Sequence, residues 1–270
     1  MLLIIKSIVI AIIEGLTEFV PVSSTGHMIL VGHLIEFKGD FANLFEIVIQ
    51  LGAILAVVVL YWDKLYRSVK DIFVPGRRGL KFWINIVVAA FPAALLGFLL
   101  DDFIDAKLFN PITVAAALLV GGILMIVIEN KYRRGNKIKS MDNIRLRQSF
   151  LVGLFQCLAL WPGMSRSAST IMGGWIAGFS NVIAAEFSFF LAIPMMVGAS
   201  GLKLIKSNII MTNVEIIALV IGFVVAFIVS LIVIEKFIKF LQKKPMRIFA
   251  VYRIIVGAVL LIMAAFGKIS

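Results

Sequence analysis

Charge is scarce in this chain. Only 15% of its 270 residues are Asp, Glu, Lys or Arg, and several stretches near 20 residues carry few or none. Runs of that kind are long enough to cross the roughly 30 Å of a bilayer core. A soluble domain is about 45–50% apolar, whereas this chain is 61% hydrophobic, with a mean hydropathy of +1.07. The shortage of charge therefore excludes an ordinary soluble domain and points to a polytopic integral membrane protein. Cysteine is nearly absent as well. Cys157 stands alone, which excludes an intramolecular disulfide, leaves the redox compartment undefined and reads as plain packing. No small-residue cleavage site precedes Glu14 in the apolar start MLLIIKSIVIAII, so that start is expected to be retained rather than removed as a signal peptide. Acidic residues are the rarer sign, 15 against 26 Lys and Arg. The resulting +11 is a topology signal carried by short loops rather than a nucleic-acid surface, and no nucleic-acid partner is expected.

The fold class expected is an all-α polytopic membrane protein forming a single membrane domain, 1–270. Six spanning helices are read at 44–62, 82–100, 112–130, 184–202, 215–235 and 248–267. Two further segments, 1–36 and 148–178, fail as spans. Each has an apolar first half, breaks at a Pro-containing polar run (PVSSTGH at 21–27, PGMSRSAST at 162–170) and resumes as a second apolar half. Broken backbone at membrane depth survives only where it is buried in protein or lines a cavity, so both segments read as re-entrant helical hairpins. Basic connections at 63–81, 129–147 and 235–247 alternate with weakly charged ones at 101–110 and 203–215. The positive-inside rule then places the basic loops in the cytoplasm and both termini outside.

The halves also resemble each other. Pro21 aligns with Pro162, Glu46 with Glu186, and LLVGGILMIV at 118–127 with RIIVGAVLLIM at 253–263. Repeat one covers 1–135 and repeat two 142–270, each a hairpin followed by three spans. An odd span count inverts the second copy, the plan of many transporters, whose sites lie near the midplane between repeats.

The two breaks hold the chemistry. Glu14 and Glu18 are spaced i, i+4 and share a helix face. Two close carboxylates repel, so either one binds a proton or the pair shares a cation, and a hard divalent ion would suit them. The plainer reading is a helix-end pair wetted at the interface. Ser23, Ser24, Thr25, Gly26 and His27 follow. A hydroxyl can attack phosphorus once a base takes its proton. His27 or a glutamate could be that base, and His27 could itself be the nucleophile. Helix capping by these hydroxyls is the competing and compatible role. In the second break, Gly163 and the turn into a half-helix offer backbone N–H groups to an anion. Arg166 adds a permanent bidentate charge, unless it is spent on a structural ion pair with the other hairpin. Ser165, Ser167, Ser169 and Thr170 add donors. Arg253 in the last span either lines the cavity or snorkels to the surface. His33 reads as a surface residue, and Glu46 and Glu186 as caps or cavity residues. Together the breaks suit a phosphorylated substrate inside a membrane, one carrying a long apolar tail.

EGLTEFVPVSSTGH and PGMSRSAST closely resemble the two motifs of the bacterial undecaprenyl pyrophosphate phosphatases, the family associated with bacitracin resistance, and the resemblance spans essentially the whole chain. It implies hydrolysis of undecaprenyl diphosphate to the monophosphate and phosphate, recycling a lipid carrier for peptidoglycan synthesis at the bacterial cytoplasmic membrane. It also implies a site facing outward and a divalent cation, Mg or Ca. Carried over by motif, Glu14 and Glu18 hold the cation or move protons. Ser24 is the nucleophile with His27 as base, or the two exchange roles. Ser23, Thr25, Ser165, Arg166, Ser167 and Thr170 bind the diphosphate. The rival reading is a transporter or flippase of a phosphorylated lipid, which would need no nucleophile. A homodimer is compatible with such a chain, although no helix face specifies one.

Overall fold

The structure is a computed structural model and describes residues 1–73, 78–132, 138–206 and 209–266. Among these, eleven α-helices run in order: α1 Leu2–Thr17, α2 Ser24–Leu34, α3 Asp40–Leu60, α4 Trp62–Lys70, α5 Arg78–Leu108, α6 Pro111–Tyr132, α7 Leu146–Gln156, α8 Arg166–Ile176, α9 Asn181–Lys206, α10 Asn213–Lys243 and α11 Arg247–Ala265. The sole β pairing among them is a parallel bridge between Ile138 and Phe179. Six helices, α3, α5, α6, α9, α10 and α11, are long and apolar enough to cross a membrane, in agreement with the six spans expected. Arg77, Arg133, Arg134 and Lys137 of the basic connections, and Gly267 at the end of the last expected span, lie outside the described residues.

The outer face of α10 is more apolar than its inner one. Along α10, Ala218, Gly222, Ala226 and Ser230 form a buried i, i+4 stripe, while Val220, Val224, Ile228 and Ile232 are 45–56% exposed. A soluble helix has the reverse polarity. Lipid already solvates large aliphatic chains, so membrane helices bury small residues that let backbones approach. At Gly15 on α1, an added Cβ would lie 2.7 Å from Val229 Cβ of α10. At Gly153 on α7, it would lie 2.5 Å from the Ala89 carbonyl of α5. The most extensively packed helix pairs are α6 with α11, α1 with α10, α3 with α10 and α5 with α7.

Two elements exceed the sequence reading. The segment 63–81, read as a loop, begins with the short helix α4, which buries Leu65 and exposes Trp62, Tyr66 and Val69. Helix α10 runs 31 residues, about 46 Å at 1.5 Å per residue, and carries on through Lys243 into the basic segment. Beyond Gly222 no proline or glycine occurs before Pro245, and Glu235 pairs with Lys239 one turn on.

Both hairpins form as expected. In the first, α1 stops at Thr17 and α2 starts at Ser24; in the second, α7 and a short 3-10 turn over Cys157–Leu160 lead to α8 at Arg166. The returning helices begin alike. Ser23 and Ser165 occupy the N-cap positions with left-handed φ of 74° and 73°, and their hydroxyls accept from Gly26 N and Ala168 N. Gly163 precedes the second cap at φ 98°, and a Cβ there would lie 2.5 Å from the Val114 carbonyl. Only glycine fits this combination of dihedral and contact.

Candidate active site

The two breaks meet. Glu18, Ser23, Ser24 and Thr25 from the first, and Pro162, Gly163, Ser165 and Arg166 from the second, line one cavity of about 160 Å³ together with Gln50 of α3. Ser24 and Arg166 are the first residues of α2 and α8. Two half-helix N-termini therefore open at the same place, each offering unpaired N–H groups and the positive end of a dipole.

Three side chains tie the site together. Arg166 Nη2 donates to Glu18 Oε1 at 2.8 Å across the breaks. Ser24 Oγ donates to Glu18 Oε2. Arg166 Nη1 donates to the Ser188 carbonyl at 2.8 Å and to Ser188 Oγ at 3.1 Å, while its face lies 5.9 Å from the Phe19 ring centroid. The Nε–H of Arg166 is buried and has no partner among the described residues. The hydrogen bonds of the guanidinium thus leave Nε–H uncommitted.

Glu14 sits one turn before Glu18 and is fully buried. Neither of its carboxylate oxygens has a hydrogen-bond partner among the described residues, and the charged groups that act on it are Glu18, Glu46 and Arg166. A buried carboxylate in that position needs a proton or a cation. Among the described residues no cluster of three or more His, Cys, Asp or Glu gathers for a metal. The pair can supply only part of a shell, which fits an ion such as Mg that is held by one or two carboxylates and completed by substrate phosphates.

Other expected residues turn away from the cavity. His27 Nδ1 lies 2.7 Å from the Ser23 carbonyl and Nε2 2.7 Å from the Tyr252 hydroxyl, with the two rings stacked 5.6 Å apart. In the neutral ring Nδ1 donates and Nε2 accepts. Both nitrogens are engaged, and neither reaches Ser24. Ser167 Oγ donates to the Val20 carbonyl at 3.0 Å, joining the breaks. Thr170 Oγ1 donates to Ser188 Oγ at 2.7 Å and so braces the arginine's support. Ser169 bonds back to the Ser165 carbonyl. Arg253 is fully buried, not snorkelling, and bonds to backbone carbonyls rather than lining the cavity. Glu186 pairs with Lys64 at 2.7 Å, away from the site. His33 contacts Lys38 at the surface.

Gln50, Ser188 and Tyr252 were not among the candidates. Gln50 had a signal, an amide four residues after Glu46 in an apolar span. Tyr252 directly precedes Arg253. Ser188 had none, because a lone hydroxyl in a membrane helix can satisfy itself on its own backbone.

A family model described as bacitracin resistance protein BacA matches residues 7–259. An undecaprenyl-diphosphatase of Clostridium tetani is 75% identical over 270 residues, covering all of both chains. An undecaprenyl-diphosphatase 2 of Clostridium acetobutylicum is 52% identical, covering 100% of this chain and 99% of its own. An undecaprenyl-diphosphatase of Clostridium novyi is 54% identical, covering 99% and 98%.

Proposed function

The chain belongs to the bacitracin resistance protein family, and on that premise we propose how its two breaks carry out the hydrolysis of undecaprenyl diphosphate. The protein is a multi-pass membrane enzyme that converts this lipid to undecaprenyl phosphate and inorganic phosphate. Family membership decides between the enzyme and the transporter that the broken helices alone would equally suggest.

The observation that carries the mechanism is the line Ser24–Glu18–Arg166, a hydroxyl on a carboxylate that is itself paired to a guanidinium across the breaks. Glu18, in direct contact with the hydroxyl, is the base; His27, occupied by Ser23 and Tyr252, orients the turn that bears the nucleophile. Ser24 Oγ attacks the terminal phosphorus as Glu18 takes its proton. The bond from that phosphorus to the bridging oxygen breaks, and undecaprenyl phosphate leaves with the electron pair and the proton. Water then gives a proton to Glu18 and attacks the phosphoserine. Ser24 Oγ leaves, recovers a proton from Glu18, and phosphate is released. Attack at the terminal phosphorus makes the lipid monophosphate the leaving group.

Arg166 Nε–H and the N-terminal N–H groups of α2 and α8, with Ser23, Thr25, Gly163 and Ser165, bind the diphosphate oxygens. Fixed donors in a water-poor site stabilise the charge that develops there. Glu14 and Glu18 would hold a divalent cation, Mg or Ca. Such an ion, when bound, neutralises phosphate charge. The orphaned Glu14 carboxylate supports that assignment.

The two halves are taken as inverted repeats. The matched hairpins with Ser23 and Ser165 as left-handed caps support this. So do the exchanged contacts, in which α1 packs on α10 as α7 packs on α5. The site is taken to face outward at the cytoplasmic membrane, as the family resemblance implies, and the loop charges agree in placing both termini on that side.

Purified wild type in detergent should release phosphate from undecaprenyl diphosphate with Mg and lose that activity in EDTA. Ser24→Ala should be inactive under both conditions. Full activity in EDTA would remove the cation from the scheme, and an active Ser24→Ala would remove the covalent route.

A further inference from the structure

We infer that Arg253 is a positioning residue, a clamp from the last span that holds the backbone of both breaks in register through a notch left open by Gly121. This rests on the phosphatase reading above, since it concerns how that site's loops are kept in place.

Arg253 is wholly buried. Its guanidinium is directed at backbone carbonyls. Nη2 donates to Met164 at 2.8 Å, to Gly163 at 3.1 Å and to Ala117 at 3.3 Å. Nη1 reaches Pro21 at 3.5 Å. Met164 and Gly163 lie in the second break and Pro21 in the first, so one group touches both. A buried charge needs partners. Here carbonyl dipoles supply them for Nη1 and Nη2, which face loop backbone, while Nε–H has no partner among the described residues. Lysine could not substitute, because a single ammonium lacks the planar fork that reaches several carbonyls at once.

The residues contacted flank two of the three non-glycine residues with positive φ among the described residues, the third being Glu36. Ser23 and Ser165 hold left-handed φ without being glycine, a conformation that persists only when its surroundings over-determine it. Pro21 lies two residues before Ser23, and Gly163 and Met164 lie just before Ser165. The adjacent Tyr252 adds a third tie, through His27 to the Ser23 carbonyl. One turn of α11 thus restrains both caps from which the half-helix N-termini open.

Gly121 makes the clamp possible. A Cβ there would overlap the Arg253 guanidinium and lie 2.7 Å from Met164 Sδ. Gly121→Ala should displace the clamp by one methyl group while leaving every charge and every cavity-lining side chain intact.

The test is steady-state hydrolysis by purified wild type, Arg253→Lys and Gly121→Ala, with hydrogen exchange of the 21–27 and 162–168 backbone. Displacing a catalytic group by about 1 Å costs roughly 10²-fold in rate. Both variants should therefore lose about 10- to 100-fold in kcat with KM within about threefold of wild type, and protection should fall at both breaks together. A raised KM with kcat unchanged would make Arg253 a substrate ligand and overturn the inference. Wild-type turnover and protection in Gly121→Ala would overturn it too, even if Arg253→Lys cannot be purified. Should wild type itself fail to hydrolyse the substrate, the phosphatase reading fails. The clamp is then judged by exchange alone, and unchanged protection in the variants would overturn it.

Discussion

At Ser24 a hydroxyl meets a carboxylate already committed to a guanidinium, and the hydroxyl and the carboxylate share an expected phenotype that His27 does not. Removing a positioned base or nucleophile costs about 10²–10⁴-fold, so Ser24→Ala and Glu18→Gln should each lower kcat by that much in a phosphate-release assay. His27→Gln should stay within about tenfold of wild type. An amide can still donate to the Ser23 carbonyl and accept from Tyr252, which are the two contacts the imidazole makes. If His27 were the base, His27→Gln would match Glu18→Gln in the same assay. Much of this was legible in the sequence. Glu14, Glu18, Ser24 and Arg166 stand out because each is costly in lipid. What the sequence leaves open is which base serves Ser24. Two candidates lie within six residues of it, and only the fold shows that the helix turn aims one imidazole at Tyr252, 225 residues away.

At the scale of elements, the half-helices succeed because their first residues are the functional ones. Proline and a hydroxyl cap end one apolar run and start another, which is why the breaks could be read directly. The long span α10 and the short helix α4 were less legible. Hydropathy reports where a helix leaves lipid, not where it ends, and Glu, Lys and Leu continue a helix in water as readily as in the interface. The turn at Gly163 combines a positive φ with a close backbone contact. Gly163→Ala forces a Cβ against the Val114 carbonyl and a side chain into φ 98°. Strain of this kind costs about 1–3 kcal/mol. Thermal unfolding in detergent should show a Tm lowered by several degrees, and an unchanged Tm would mean that the turn can re-form without its glycine.

For the whole molecule, the alternation of basic and weakly charged loops sets an orientation that can be read on intact cells. In a Cys157→Ala background, Lys107→Cys should react with an impermeant maleimide from outside and Lys139→Cys should not. The opposite pattern would turn the molecule over and put the site on the cytoplasmic face. The proposed repeat rests in the sequence on paired breaks at a nearly constant offset, since apolar spans match one another too easily to carry it, and the partner exchange of α1 and α7 that supports it is visible only in three dimensions. The central claim is that two breaks about 140 residues apart in sequence make one catalytic site, and its measurable form is the coupling between Glu18 and Arg166. The most direct measurement is kcat/KM for undecaprenyl diphosphate in Glu18→Gln, Arg166→Gln and the double variant. One shared site predicts a double variant little worse than the poorer single, whereas losses that multiply would contradict it.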